Sequence, residues 1–437
     1  MIHTLKLKAH GLLDQMYVQL KSARYIFSKY KLPPGGGIHL YVKERTDREL
    51  ILKLTAQHGP IFKGRLHRMY MVCIVGLPLC QQFIKECKNQ TRVATVDLTP
   101  LFPKGFLRAM EGEDHKKYRN ALIQGISPEI MEQNAVDHKS IVKRILKEYS
   151  DSFQSQPGGP DVFFQTLKSI SSSLLIHVFF GIHPSSKEYD WLMSKYTQLG
   201  EKKFSWEIND QKKTVFEEVR DYFIEHLRDG KAVDGSSILG NMQAADLIDE
   251  TSLGNLIYML EMGRHDLSGL FRWLAKYAGE YPEHMKIIAQ EQETPSENEG
   301  NHCLAFIQET LRLNQIERLS RRVESDIEFK GYFIPKGSMV RMCLWESHKD
   351  SDKFPEPFSF RPERFLDNSF SLDEYAPFGL GHHRCPIAQM SMQMSRILMN
   401  ELATNYTVEP FGDGPPYRRL THWEPAREFT VKLAPTH

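Results

Sequence analysis

Several features are scarce in this chain of 437 residues, and each scarcity narrows what it can be. Net charge is almost absent: 56 lysines and arginines stand against 55 aspartates and glutamates, so no basic field exists to hold a nucleic acid. No run reaches the ~18 apolar residues of a membrane span. The first thirty residues carry apolar stretches broken by Lys6, Lys8, Asp14, Lys21, Arg24 and Lys29, with no signal-peptide core. A solvated helix is expected there in preference to a segment lying on a membrane surface. Cysteine is sparse, with six at 73, 80, 87, 303, 343 and 385, and they form no compact ladder. A chain this long needs no disulfide staples, so a reducing, cytoplasmic compartment is expected. Cys73, Cys80 and Cys87 recur at sevens, but the first falls in an apolar strand and the others in a following helix, which argues against shared metal ligation. No internal repeat is present.

What remains has the composition of a soluble globular protein, 41% hydrophobic and 25% charged. Lys31-Leu32-Pro33-Pro34-Gly35-Gly36-Gly37 separates a head segment, 1–37, from the rest, 38–437. After it the pattern predicts a helix over 46–57 stopped by His58-Gly59-Pro60, a strand pair at 61–66 and 69–75, and a helix at 77–88. Residues 89–105 have little periodicity and read as a loop. Helical patterns follow at 130–153, 163–180, 188–199 and 212–228, with a turn at 156–160, and the longest candidate runs over 247–277. A polar surface loop is expected at 291–300, strands at 326–333 and 338–344, and a helix at 390–402. So many consecutive helices fit one large, mainly α unit with small β-sheets, an α+β chain, better than several small domains.

Four stretches carry chemistry. Phe378-Gly379-Leu380-Gly381-His382-His383-Arg384-Cys385-Pro386 ends a loop and opens a helix, which places Cys385 at a helix N-terminus. There, unpaired amides and the helix dipole favour thiolate over thiol, and Pro386 suits the first helical position. The glycines permit a tight turn and a close approach to something flat or bulky, which Phe378 can wall off. His115 and Arg119 are four apart on a helix and can grip one anionic group, or simply form a solvated basic face. Glu309 and Arg312, three apart, can form an ion pair. Gly263-Arg264-His265-Asp266 lies in the middle of the longest helix.

The order Phe-x-x-Gly-x-His-x-Cys resembles the cysteine loop of the cytochrome P450 family, the haem-thiolate oxygenases. Glu309-x-x-Arg312, Pro362-Glu363-Arg364-Phe365 and Gly112-x-x-His115-x-x-x-Arg119 resemble further motifs of that family in the right order. The resemblance, running from about Glu44 to the end, implies one catalytic domain over 38–437. In it, haem b (iron protoporphyrin IX) lies between a long distal helix and the helix after the cysteine loop, with 89–105 capping the substrate pocket. It implies Cys385 as axial thiolate, His115, Arg119, Arg321 and His383 as counter-charges to the haem propionates, and Arg364 as a buried third member of the Glu309–Arg312 pair. Gly263 falls where a small residue leaves room for oxygen. His265 and Asp266 take the places of the family's carboxylate and threonine, which relay protons during oxygen activation. Ile387 replaces the glycine usual two positions after the cysteine.

The function implied is a monooxygenase inserting one oxygen atom from O2 into a small, largely apolar metabolite. Electrons would come from a separate ferredoxin or flavoprotein reductase, because no flavin or iron–sulfur segment is present. Loss of the acid–threonine pair keeps a second hypothesis open, a haem-thiolate peroxygenase, isomerase, dehydratase or oxidative coupling enzyme. In that case Arg264 would anchor a substrate carboxylate. A haem-binding protein without turnover is a third.

Overall fold

In the computed structural model, the described residues are 16 and 29–436, apart from 45, 67, 96–97, 103–104, 128, 156–158, 200–207, 229–233, 294–300, 315–318 and 420–421. Most of the head segment and parts of the expected loops at 156–160 and 291–300 therefore lie outside them. Internal contacts gather the chain into two compact units.

The first unit takes residues up to 95, 317–359 and 370–384. Its centre is a five-stranded sheet in the order Ile61–Leu66, Met69–Val75, Met339–Cys343, Leu319–Val323, Thr91–Val93. Only the Met69–Val75 and Met339–Cys343 neighbours run parallel. Alternation along Met69–Val75 buries Val72 and Ile74 against the helix Leu77–Glu86, whose Phe83 meets Phe329 edge-on at 5.2 Å. Gly59, at φ +86°, stops the helix Leu50–His58 where Gly-Pro predicts it. Two expectations need correction. The strand read over 326–333 is a hairpin, Ile327–Phe329 with Tyr332–Ile334, turned by Lys330 and Gly331 at φ +50° and +78°. The loop read at 89–105 contains Thr91–Val93, which pairs with Leu319–Val323. A buried arginine, Arg341, binds Glu346 at 2.6 Å and also Glu44.

The second unit, 96–316, 360–369 and 385–437, is helical, apart from strand pairs Tyr406–Phe411 with Thr430–Pro435 and Tyr417–Arg419 with His422–Glu424. Its axis is the 31-residue helix Glu250–Glu280. Asp249 caps it reciprocally, accepting from the Ser252 amide at 2.7 Å and donating its own amide to Ser252 Oγ at 2.8 Å. Pro160–Phe180 packs along it. That helix is apolar and long enough to cross a membrane by composition alone, but 67% of its most apolar stretch is enclosed by the protein. Its His177 meets His138 edge-on at 5.4 Å, in a place where both rings are buried. Burial first, and then the neighbouring His177, push the His138 imidazole down to about 3. The helix read over 130–153 is broken into Ile130–Gln133 and Ala135–Ser155.

Candidate functional site

Cys385 stands apart from the other cysteines. The other five are sealed in apolar interior, whereas Cys385 is half-buried in the second unit. Burial pushes the Cys87 thiol up to about 11 and Cys303 to about 12, with Cys80 and Cys343 raised further. Burial thus favours the protonated thiol at these four. The helix after Cys385 begins at Ala388 with Ile387 as its N-cap, so Pro386 precedes the helix and does not occupy its first position. Ile387 is buried, and its Cδ1 lies 3.6 Å from where a Cβ on Gly263 would sit. The isoleucine that replaces a small residue beside the cysteine thus spends its volume in the gap left by the glycine of the long helix.

The approach to the cysteine is held within the first unit. Gly379 and Gly381 adopt φ +89° and +67°, and a Cβ on Gly381 would press Ile84 Cγ2 at 3.2 Å. Leu380 between them is buried beside Phe83 and Ala376, while Phe378 is half-buried. His348, read in the sequence only as the start of the connection out of the sheet, fixes this segment: fully enclosed, its Nε2 accepts from the Ala376 amide at 3.0 Å. Its ring is therefore protonated at Nδ1. His383 sits half-buried in a 3-10 turn, its ring 4.2 Å from that of His382. On the strand Leu319–Val323, Arg321 is buried and Arg322 exposed, the latter 3.7 Å from Glu324.

In the second unit the helix Gly112–Gly125 buries His115 in its first turn, with Arg119 one turn on. Tyr118 donates to Asp249 at 3.0 Å and so ties this helix to the cap of the long one. Burial acts to raise the Asp249 carboxyl, but hydrogen bonds from Ser252 and Tyr118 and the charge of Lys117 hold it below the usual range. The predicted triad is present and enclosed. Arg312 donates to Glu309 at 2.6 and 2.8 Å, Arg364 at 3.1 Å, and the Arg361 amide at 2.9 Å.

The middle of the long helix departs from expectation. Arg264 is wholly buried, donating from Nε to Glu261 at 2.7 Å and from Nη2 to the Tyr196 carbonyl. It is a buried cation held in an ion pair, which argues against the expected role as an anchor for a substrate carboxylate. Glu261, also missed, shares its second oxygen with His265 Nε2 at 3.0 Å. Its spacing of three to Arg264 and four to His265 was the available signal. Burial acts to raise the Glu261 carboxyl, yet Arg264 and His265 bring it below the ordinary range. His265 keeps a third of its side chain exposed, and Asp266 is half-buried. Two turns before His265, Tyr258 meets Phe102 and Phe106, from the loop before the helix Gly112–Gly125, edge-on at 5.5 and 5.2 Å. Further along, Arg272 binds Glu424 at 2.6 Å, which also accepts from Tyr417 at 3.0 Å, and this fixes the terminal hairpin.

A half-buried cysteine just ahead of one helix, an isoleucine two residues on packed at the glycine of the long helix, and a buried Glu-x-x-Arg triad fit the haem-thiolate class that the motifs resemble. The comparisons agree. The cytochrome P450 family profile matches residues 283–427. Abscisic acid 8'-hydroxylase 1 of Oryza sativa subsp. japonica is 24% identical over 424 residues, covering 86% of this chain and 84% of its own. The Arabidopsis thaliana protein of the same name is 24% identical, covering 89% and 88%. The structure of retinoic acid bound cyanobacterial CYP120A1 superposes with a TM-score of 0.75 at 21% identity, over 93% of this chain and all of that one. The chain has the mainly helical fold of its solved neighbour, and the findings together support a cytochrome P450, an oxidoreductase of the monooxygenase kind with haem as its cofactor. Its cysteine chemistry fits that cofactor, because the only cysteine outside the apolar interior is the one in the motif position.

Proposed function

We propose that the protein hydroxylates a small, largely apolar organic acid, using O2 and electrons delivered by a separate ferredoxin or flavoprotein reductase. The observation that carries this reading is the half-buried Cys385 two residues before Ile387, which packs at Gly263 of a long helix carrying a half-exposed His265–Asp266 pair and, two turns earlier, Tyr258 against Phe102 and Phe106. The relatives support this substrate class: abscisic acid for the hydroxylases and retinoic acid for the solved neighbour. Six free cysteines support work in a reducing compartment, the cytoplasm.

Haem bound through Cys385 supplies oxygen activation, with thiolate donation favouring O–O cleavage. The chain's own residues do the rest. His115, Arg119, Arg321 and His383 are proposed to balance the propionates, and Phe378 to shield the thiolate. Phe102, Phe106 and Tyr258 give an apolar substrate a dry surface. His265 passes protons inward and Asp266 holds the water that feeds it, in the places of the usual acid and threonine.

Difference spectra with a panel of small apolar acids, followed by turnover with O2 and a reconstituted ferredoxin system, test this reading. A shift of the Soret band and a hydroxylated product are expected. A reduced, CO-bound spectrum without the thiolate-type red-shifted band overturns the assignment of Cys385. Product formed with hydrogen peroxide but not with the electron-transfer system replaces the monooxygenase reading with a peroxygenase. Asp266→Thr should raise the fraction of electrons recovered in product, and an unchanged fraction removes the pair from the proton path.

A further inference from the structure

We propose that Glu261 is a positioning residue that fixes the tautomer and orientation of His265, leaving Nδ1 as the atom that exchanges protons; the inference rests on the reading of His265 as the inner proton carrier. The argument is one of hydrogen inventory. Arg264 is fully enclosed and always charged, so the carboxylate beside it at 2.7 Å must be ionised to avoid a stranded buried cation. An ionised carboxylate only accepts. The atom of His265 that meets it at 3.0 Å, Nε2, must therefore carry hydrogen. When the ring is neutral, Nδ1 is then left as a lone-pair acceptor. When it is charged, Nδ1 carries the proton to be given up.

Charge and support are arranged for this. Glu261 is itself enclosed, with its oxygens divided between a permanent cation and the imidazole, while His265 keeps a third of its side chain exposed at the outer end. Arg264 is in turn tied to the Tyr196 carbonyl from another helix, so the carboxylate cannot swing toward solvent. The Arg264 carbonyl accepts from Ser171 at 3.1 Å and the His265 carbonyl from Ser268 at 3.0 Å, which fixes the backbone under both residues. A carboxylate holding one imidazole nitrogen while the other faces a reactant is the arrangement that sets a histidine's tautomer wherever it acts as acid or base.

The test is long-range 1H–15N correlation of histidine-labelled holoenzyme in the reduced, CO-bound, diamagnetic form at pH 8, with His265 assigned by its disappearance in His265→Gln. A pyrrole-type shift at Nε2 and a pyridine-type shift at Nδ1 are expected in the wild-type protein. Glu261→Gln should move the population toward the Nδ1–H form, because its amide now donates toward Nε2, and Glu261→Asp should restore the wild-type pattern. A wild-type ring protonated at Nδ1, or averaged between tautomers, overturns the proposal even if Glu261→Gln fails to fold. The result is read without turnover, so it stands or falls separately from the turnover tests of His265 as proton carrier.

Discussion

Two Glu-x-x-Arg pairs lie buried in the same unit, at Glu261–Arg264 and Glu309–Arg312, with the same spacing and nearly the same short contact, 2.7 and 2.6 Å. They differ in what takes the spare capacity of the carboxylate. Glu309 accepts from Arg312 at both oxygens and shares Oε1 with a second cation, Arg364, and the Arg361 amide, so three groups of the chain depend on it. Glu261 gives its second oxygen to an imidazole that is one-third exposed. The first cluster closes on itself and joins distant stretches of chain. The second leads outward and ends on an atom that can titrate.

The largest expected effect is on the closed cluster. Glu309→Gln strands two buried guanidiniums and should cost ~3–5 kcal/mol, read as a lowered denaturation midpoint or failure to accumulate folded protein. The open cluster should suffer less. Glu261→Gln keeps an acceptor for Arg264 and leaves His265 free to be neutral, for a loss of about 1–3 kcal/mol. Replacing both partners, Glu261→Leu with Arg264→Met, should bring stability back to within about 1 kcal/mol of wild type, whereas the same pair of changes at 309 and 312 leaves Arg364 unmatched. Equal recovery at both sites would erase the distinction.

Only one of these clusters was legible in the sequence, although the spacing was the same. Glu309–Arg312 came with a second marker, Pro362-Glu363-Arg364-Phe365, that named its third partner. Arg264 owes its burial to Tyr196, contributed by the separate helix Lys187–Leu199, and that packing leaves no local pattern. The helices themselves were readable because apolar periodicity is local, as was the stop at His58-Gly59-Pro60. Thr91–Val93 was not, because three residues paired with a strand more than two hundred positions away carry no period of their own. The turn at Lys330-Gly331 was hidden within a run of good strand formers.

Acid should sharpen the contrast from another direction. The Glu261 carboxyl sits below the ordinary carboxylate range, so the stability it contributes is present above that range and is lost only as pH falls through its folded value. His138 behaves oppositely. Its imidazole is held down to about 3, the unfolded chain binds the proton first, and stability falls as pH drops from about 6.5. About 2 kcal/mol should be gone by pH 5 from this group. His138→Phe should remove that share of the slope in urea titrations at pH 7 and pH 5. The smaller remainder belongs to His177 and His302, which burial also lowers. A slope unchanged in the variant would shift the acid sensitivity back onto the carboxylates.

The gap beside the cysteine holds one intermediate effect and the smallest one. Ile387→Ala should cost about 2–4 kcal/mol through the void it opens. Gly263→Ala has ordinary contact distance available at 3.6 Å and relieves a glycine inside a helix, so it should be neutral to stabilising by up to about 1 kcal/mol, measured by thermal unfolding.

That gap also sets an order on redesign. A bulky residue at 263 meets both Ile387 and Leu175 in the parent chain, so it becomes admissible only after one of them has been made small, and the small variant alone must survive a void on the way. Anyone evolving the long helix toward other substrates would reach many of its positions in single steps, but this one only through a weakened intermediate.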